Sequence, residues 1–151
     1  MTYSYWVNQA MKLAYKAHEG QNDKAGVPYI FHPMKVAGDM DNEEETIVAL
    51  LHDVVEDCPY IQFNTLRGLG YSFEVVEAIK AMTHREEESY DDYIARVKLN
   101  PIARKVKIAD LKHNMDLSRL TNVTDRDIER VEKYKKALEV LNDEWDCYSE
   151  P

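Results

Sequence analysis

A histidine followed directly by an aspartate, with two more acids within the next turn, stands in the segment ALLHDVVED at 49–57. If this segment is a helix turning about 100° per residue, Glu56 falls about 40° from His52, Asp53 about 100° and Asp57 about 140°. Ile47, Val48, Leu51, Val54 and Val55 take the opposite sector. One face is then apolar core, and the other carries an imidazole and three carboxylates. Adjacent carboxylates repel unless a cation or a proton relieves them. Acids on a helix face are by themselves ordinary solvated surface, so the case for chemistry rests on partners elsewhere in the chain.

Two such partners stand out. His32 precedes Pro33 at a loop-to-helix junction, and Asp110 lies in the mostly amphipathic pattern KVKIADLKHNMD at 105–116. Lys107 and Asn114 stand about one turn either side of Asp110, so the three can share a face. Alone, His32 is an ordinary junction histidine and Asp110 an ion-pair partner. Taken in order, His32, His52, Asp53 and Asp110 make a set of two imidazoles and two carboxylates. That mixed nitrogen and oxygen set suits manganese, iron or another first-row metal with positions left open for water and substrate.

Positioning these groups calls for helices. The apolar spacing is helical nearly throughout, no run alternates convincingly as a strand, and Gly and Pro fall between segments. It predicts helices over residues 3–19, from Pro33, over 43–57, 63–69 and 72–82, over 90–99 behind Ser89 as N-cap, from Pro101 to about residue 120, and from Thr124 to near Trp145. Residues 21–31, with Gly26 and Pro28, read as a loop. His18 is placed to satisfy the carbonyls ending the first helix, His84 and Arg85 fall in an exposed turn, and His113 packs inward. The fold class is all-α.

Composition sets the outer limits. At 151 residues, 44% apolar and 31% charged, the chain fits one globular domain, residues 1–151. Its net charge of −9 argues against extended nucleic acid, though a bound cation and local lysines still admit a small anionic substrate. Cys58 and Cys147 form no metal-type pair and read as free thiols of a reducing compartment. With no signal-peptide pattern and no membrane-length apolar run, a cytoplasmic protein with no membrane partner is expected.

The ordered series His32, His52, Asp53, Asp110 resembles that of the HD-domain metal-dependent phosphohydrolases. The stretches GQ at 20–21, PYI at 28–30, HP at 32–33, VA at 36–37, ALLHDVVED at 49–57 and KIADLKHNM at 107–115 are similar to the hydrolase domain of the RelA/SpoT alarmone enzymes and their single-domain relatives. The resemblance implies an HD-type helical bundle that removes the 3′-pyrophosphate from guanosine tetra- or pentaphosphate, commonly with manganese. It implies metal ligands at His32, His52, Asp53 and Asp110, a catalytic role for Glu56 and Asp57 in orienting or deprotonating water, and nucleotide contacts from Lys24 and Asn114. Lys107, on the Asp110 face, is read as a further phosphate or ribose contact. It also implies that Tyr134 approaches the nucleotide.

The chain departs from the family where the base is selected. Asp23 stands where the family has an arginine that stacks on guanine, Cys58 where it usually has threonine, and Asp116 where it has another arginine, with Arg119 one turn further on. The acidic segment at 83–92 replaces a basic one. These departures spare the metal and catalytic positions. They leave two other readings open: a phosphohydrolase acting on another nucleotide or phosphoester, and a non-catalytic nucleotide-sensing domain.

Overall fold

The structure, a computed structural model, describes residues 1–143. These residues fold into nine helices: α1 (Tyr5–Ala17), α2 (Phe31–Gly38), α3 (Glu43–Leu51), α4 (Val54–Asp57), α5 (Phe63–Gly68), α6 (Phe73–Met82), α7 (Tyr90–Lys98), α8 (Pro101–Asn114) and α9 (Asp125–Asn142). The all-α, HD-like helical bundle expected from the sequence is the architecture found. Side chains of Ser4, Asn42, Ser72, Ser89, Asn100 and Thr124 each accept a backbone N–H in the first turn of the helix they precede, which satisfies donors that a helix start leaves open.

Helix α3 is the centre of the bundle. Every residue from Thr46 to Leu51 is buried, and the helix packs against α1, α2, α6 and α8. Leu50 and Leu51 are fully enclosed, each contributing about 1.5–3 kcal/mol by leaving water. Helix α8 packs in turn on α2, α3, α6, α7 and α9, so the elements that carry His32, His52 and Asp110 adjoin one another.

Two boundaries differ from expectation for identifiable reasons. The helix expected over 43–57 breaks at His52 and Asp53 into α3 and α4. The His52 Nδ1 bonds the Ala49 carbonyl at 2.6 Å, the acceptor that a continuous helix reserves for the Asp53 N–H. Helix α8 ends at Asn114, not near residue 120, because the Asp116 carboxylate accepts from both the N–H and the hydroxyl of Ser118 and turns the chain. Helix α9 ends at Asn142; Trp145, near which it was expected to end, and Cys147 lie outside the described residues.

Single polar side chains fix two of the loops. In the loop after α1, Asp23 Oδ1 accepts from the N–H of Ala25 and of Val27, while Gly26 takes the left-handed conformation at φ +80°. In the segment after α6, Arg96 from α7 donates to the carbonyls of Lys80, Ala81 and Thr83 and grips Glu88 with two bonds of 2.8 Å. One guanidinium thereby satisfies the end of α6 and fixes the turn that carries His84.

Candidate metal centre

His32 comes from the first turn of α2, His52 and Asp53 from the break between α3 and α4, and Asp110 from α8. One ligand atom from each of His32, His52 and Asp53 lies within 4.8 Å of the others. Asp110 Oδ1 stands 2.8 Å from His32 Nε2 and 3.6 Å from His52 Nε2. Asp53 Oδ2 stands 3.0 Å from His52 Nε2 and 3.8 Å from His32 Nε2. Both Nε2 atoms are buried and face the two carboxylates. Donor atoms from separate helices thus converge on one small volume. The two buried imidazole nitrogens and two carboxylates fit a divalent first-row ion held there.

The surroundings prepare each group. His52 donates through Nδ1 to the Ala49 carbonyl, which turns Nε2 toward Asp53 and Asp110. The Tyr29 hydroxyl donates to Asp53 Oδ2 at 2.5 Å, and burial together with the Asp53 charge raises its pKa, so it remains a donor. Lys107 Nζ reaches Asp110 Oδ2 at 2.8 Å, and the Asn114 amide donates to Oδ1 at 3.0 Å. Burial opposes the ionised form of Asp110, but Lys107 and the two imidazoles hold its pKa well below the usual carboxylate range. Burial opposes protonation of His52 as well, and Asp53 and Asp110 overcome it and drive its pKa up. The two carboxylates thus demand positive charge between the imidazoles, which a proton or a metal ion can supply.

Glu56 and Asp57 sit at the rim. Glu56 Oε1 accepts the His84 N–H at 2.8 Å. Burial raises the Glu56 pKa, the His84 bond partly opposes this, and the Asp53 charge adds to it. Asp57 Oδ2 accepts from the Gln21 amide at 3.1 Å. Beside the cluster opens a cleft of about 370 Å³, lined in part by Lys24, Tyr29, Asn114, Arg119, Arg130 and Tyr134. Tyr29 and Asn114 belong to both places, since each also bonds a carboxylate of the cluster.

The structure brings together His32, His52, Asp53 and Asp110, and places Lys24 and Asn114 in the adjoining cleft. It leaves Lys107 outside the lining of that cleft, with its ammonium on Asp110 and only 14% of the side chain exposed. Tyr134 is in the cleft wall. Asp23 bonds Arg119 Nη1 at 2.8 Å across the cleft, so a guanidinium arrives at this wall from the far side of the chain. Arg130 pairs with Asp127 at 3.0 Å, and Lys24 lies 4.0 Å from the same carboxylate.

Three residues differ from or escaped the sequence reading. His113 was expected to pack inward; it is half-buried and lies edge to edge with His32, ring centres 4.9 Å apart. His18 meets the Ala14 carbonyl at the end of α1 through its backbone N–H, while its ring bonds Gln21 at 2.9 Å. Tyr29 stands beside His32 in the motif at 28–33, but only the fold shows its hydroxyl turned to Asp53. His84 is exposed, as expected of a turn, and contributes through its backbone N–H.

No family model matches the chain. It is 34% identical over 123 residues, 72% of its length, to the bifunctional (p)ppGpp synthase/hydrolase SpoT of Escherichia coli. It is 34% identical over 116 residues to the guanosine-3′,5′-bis(diphosphate) 3′-pyrophosphohydrolase of Haemophilus influenzae, covering 68% of the chain. To the GTP pyrophosphokinase of Streptomyces coelicolor it is 29% identical over 146 residues, 89% of its length. The matched stretch is 17% of the first two proteins and 16% of the third, so the chain corresponds to a minor part of each. These matches relate the chain to the RelA/SpoT proteins.

Proposed function

We propose that residues 1–151 form one HD-type phosphohydrolase domain of a cytoplasmic enzyme that acts on guanosine 3′,5′-bis(diphosphate). The reaction transfers the 3′-diphosphate to water, breaking the bond between phosphorus and the 3′ oxygen and leaving a nucleoside 5′-diphosphate and pyrophosphate. The observation that carries this reading is the convergence of two buried imidazole nitrogens with the Asp53 and Asp110 carboxylates beside a cleft. Its agreement with relatives named for the same hydrolysis supports the choice of substrate.

In this reading His32, His52, Asp53 and Asp110 hold a divalent ion, manganese by preference. When bound, such an ion polarises a phosphoryl oxygen and makes water a better nucleophile near neutral pH. Glu56, fixed by the His84 N–H and raised in pKa, takes the proton of the attacking water. Asp57, held by Gln21, orients that water. Lys24 and Asn114 contact phosphate or ribose from the cleft. Lys107 serves the site through Asp110, and its contribution to substrate binding is indirect.

A second reading, hydrolysis of another nucleotide, is favoured by one observation. Arg119 and Arg130 in the cleft wall are each tied to a carboxylate, and Lys24 lies near one, which lowers the net positive field that a tetraphosphate meets. Phosphate and pyrophosphate release from a nucleotide panel, with manganese and with EDTA, separates the two. Metal-dependent pyrophosphate release from the guanosine tetraphosphate alone is the expected result. Turnover of a different nucleotide favours the second reading, and no turnover of any with any metal favours a sensing domain.

A further inference from the structure

We infer that His113 is a positioning residue for His32: it accepts the His32 Nδ1 proton and so holds the Nε2 lone pair toward the cluster. This rests on the proposal that His32 is a metal ligand, and adds to it a residue from outside the ligand set. The two Nδ1 atoms lie 2.6 Å apart. Two lone pairs cannot face each other at that distance, nor can two protons, so one ring donates and the other accepts. If His113 donated, a neutral His32 would carry its proton on Nε2, and that nitrogen could ligate nothing.

His52 shows the same arrangement with a different acceptor, its Nδ1 on the Ala49 carbonyl and its Nε2 toward Asp53 and Asp110. The two histidines are thus oriented by equivalent devices, one main-chain and one side-chain. Two further features suit His113 to the task. Its ring lies edge to edge with that of His32, centres 4.9 Å apart and planes 20° from parallel, so the Nδ1–H can point in plane at its acceptor. It also stands three residues after Asp110 on α8, so one helix carries both a ligand and the orienting group. Acceptors of this kind fix ligand tautomer and orientation, and their loss typically weakens metal binding about 10–100-fold.

The test compares the wild-type chain with H113F and H113N. Phenylalanine keeps an aromatic ring and loses the acceptor, whereas asparagine keeps an oxygen near the Nδ1 position and loses the ring. Mn²⁺ affinity is measured by calorimetry, thermal stability in EDTA by circular dichroism, and the His32 tautomer by long-range ¹H–¹⁵N NMR of the metal-free protein. The expected result is a protonated Nδ1 on His32 in the wild type, an affinity about 10–100-fold weaker in H113F at unchanged metal-free stability, and most of the affinity restored in H113N. Wild-type affinity in H113F, or an equal loss in H113N, overturns the inference. If the wild type binds no Mn²⁺, the ligand reading itself fails, and an Nε2–H tautomer at His32 then overturns the His113 assignment independently.

Discussion

Replacing Lys107 by methionine separates two roles a lysine beside this site could play. Its ammonium lies 2.8 Å from Asp110 Oδ2, with 14% and 4% of the two side chains exposed, and 5.4 Å from the centre of the Tyr93 ring. K107M keeps the length and apolar body of the side chain and deletes only the charge. Removing one partner of a buried ion pair costs about 3–5 kcal/mol, because the other charge is left behind. For a chain of this size each kcal/mol moves Tm by about 2–4 °C, so the melting point in EDTA should fall by roughly 6–20 °C. Excess Mn²⁺ should raise both melting points by mass action and narrow the gap, since a divalent ion relieves the same carboxylates. The assay is thermal unfolding by circular dichroism in EDTA and in Mn²⁺. A fall of less than about 3 °C in EDTA, with a higher KM as the main effect, would refute the internal role and return Lys107 to the substrate.

Other perturbations test other parts of the molecule. D23N keeps the oxygen that accepts from Ala25 and Val27 but relieves Arg119 of a carboxylate charge and should lower KM, whereas R119A removes a cleft cation and should raise KM severalfold, each with little change in kcat, read from steady-state kinetics. The Arg96 pair depresses the Glu88 pKa from the ordinary 4.5 to about 2, so the pair stabilises fully above about 4.5 and its contribution disappears as pH falls toward 2; E88Q should therefore melt lower than wild type at pH 6 and approach it near pH 2.5. R96A loses bonds to three main-chain carbonyls, about 3 kcal/mol at about 1 kcal/mol each, and should lower both Tm and kcat because the turn holding Glu56 through His84 loosens. Gly70 has φ +99°, and a Cβ there would lie 2.9 Å from the Trp6 ring, so G70A should cost about 1–3 kcal/mol in urea unfolding, with a change in Trp6 fluorescence.

That His32, His52, Asp53 and Asp110 could meet was legible because they lie in order within stretches whose apolar spacing marks the helices that carry them. Ser89 and Thr124 likewise marked helix starts by residue type alone. What escaped was decided by competition for single acceptors. Helical periodicity across 43–57 says nothing of the His52 ring taking the Ala49 carbonyl, and that one bond divides α3 from α4. Asp116 ends α8 through Ser118, a local turn invisible to apolar spacing. The partners of Asp23 and His113 lie 96 and 81 residues away, and no local pattern encodes such pairings. Lys107 was correctly placed on the Asp110 face, but only the depth of the pair shows its charge spent inside the protein.

The most direct test of the metal centre is the anomalous scattering of Mn²⁺ in crystals of the chain. One strong peak is expected among His32 Nε2, His52 Nε2, Asp53 and Asp110, about 2.0–2.3 Å from each donor. A peak at another place, or none at these four residues in Mn²⁺-saturated crystals, would contradict the proposed ligand set.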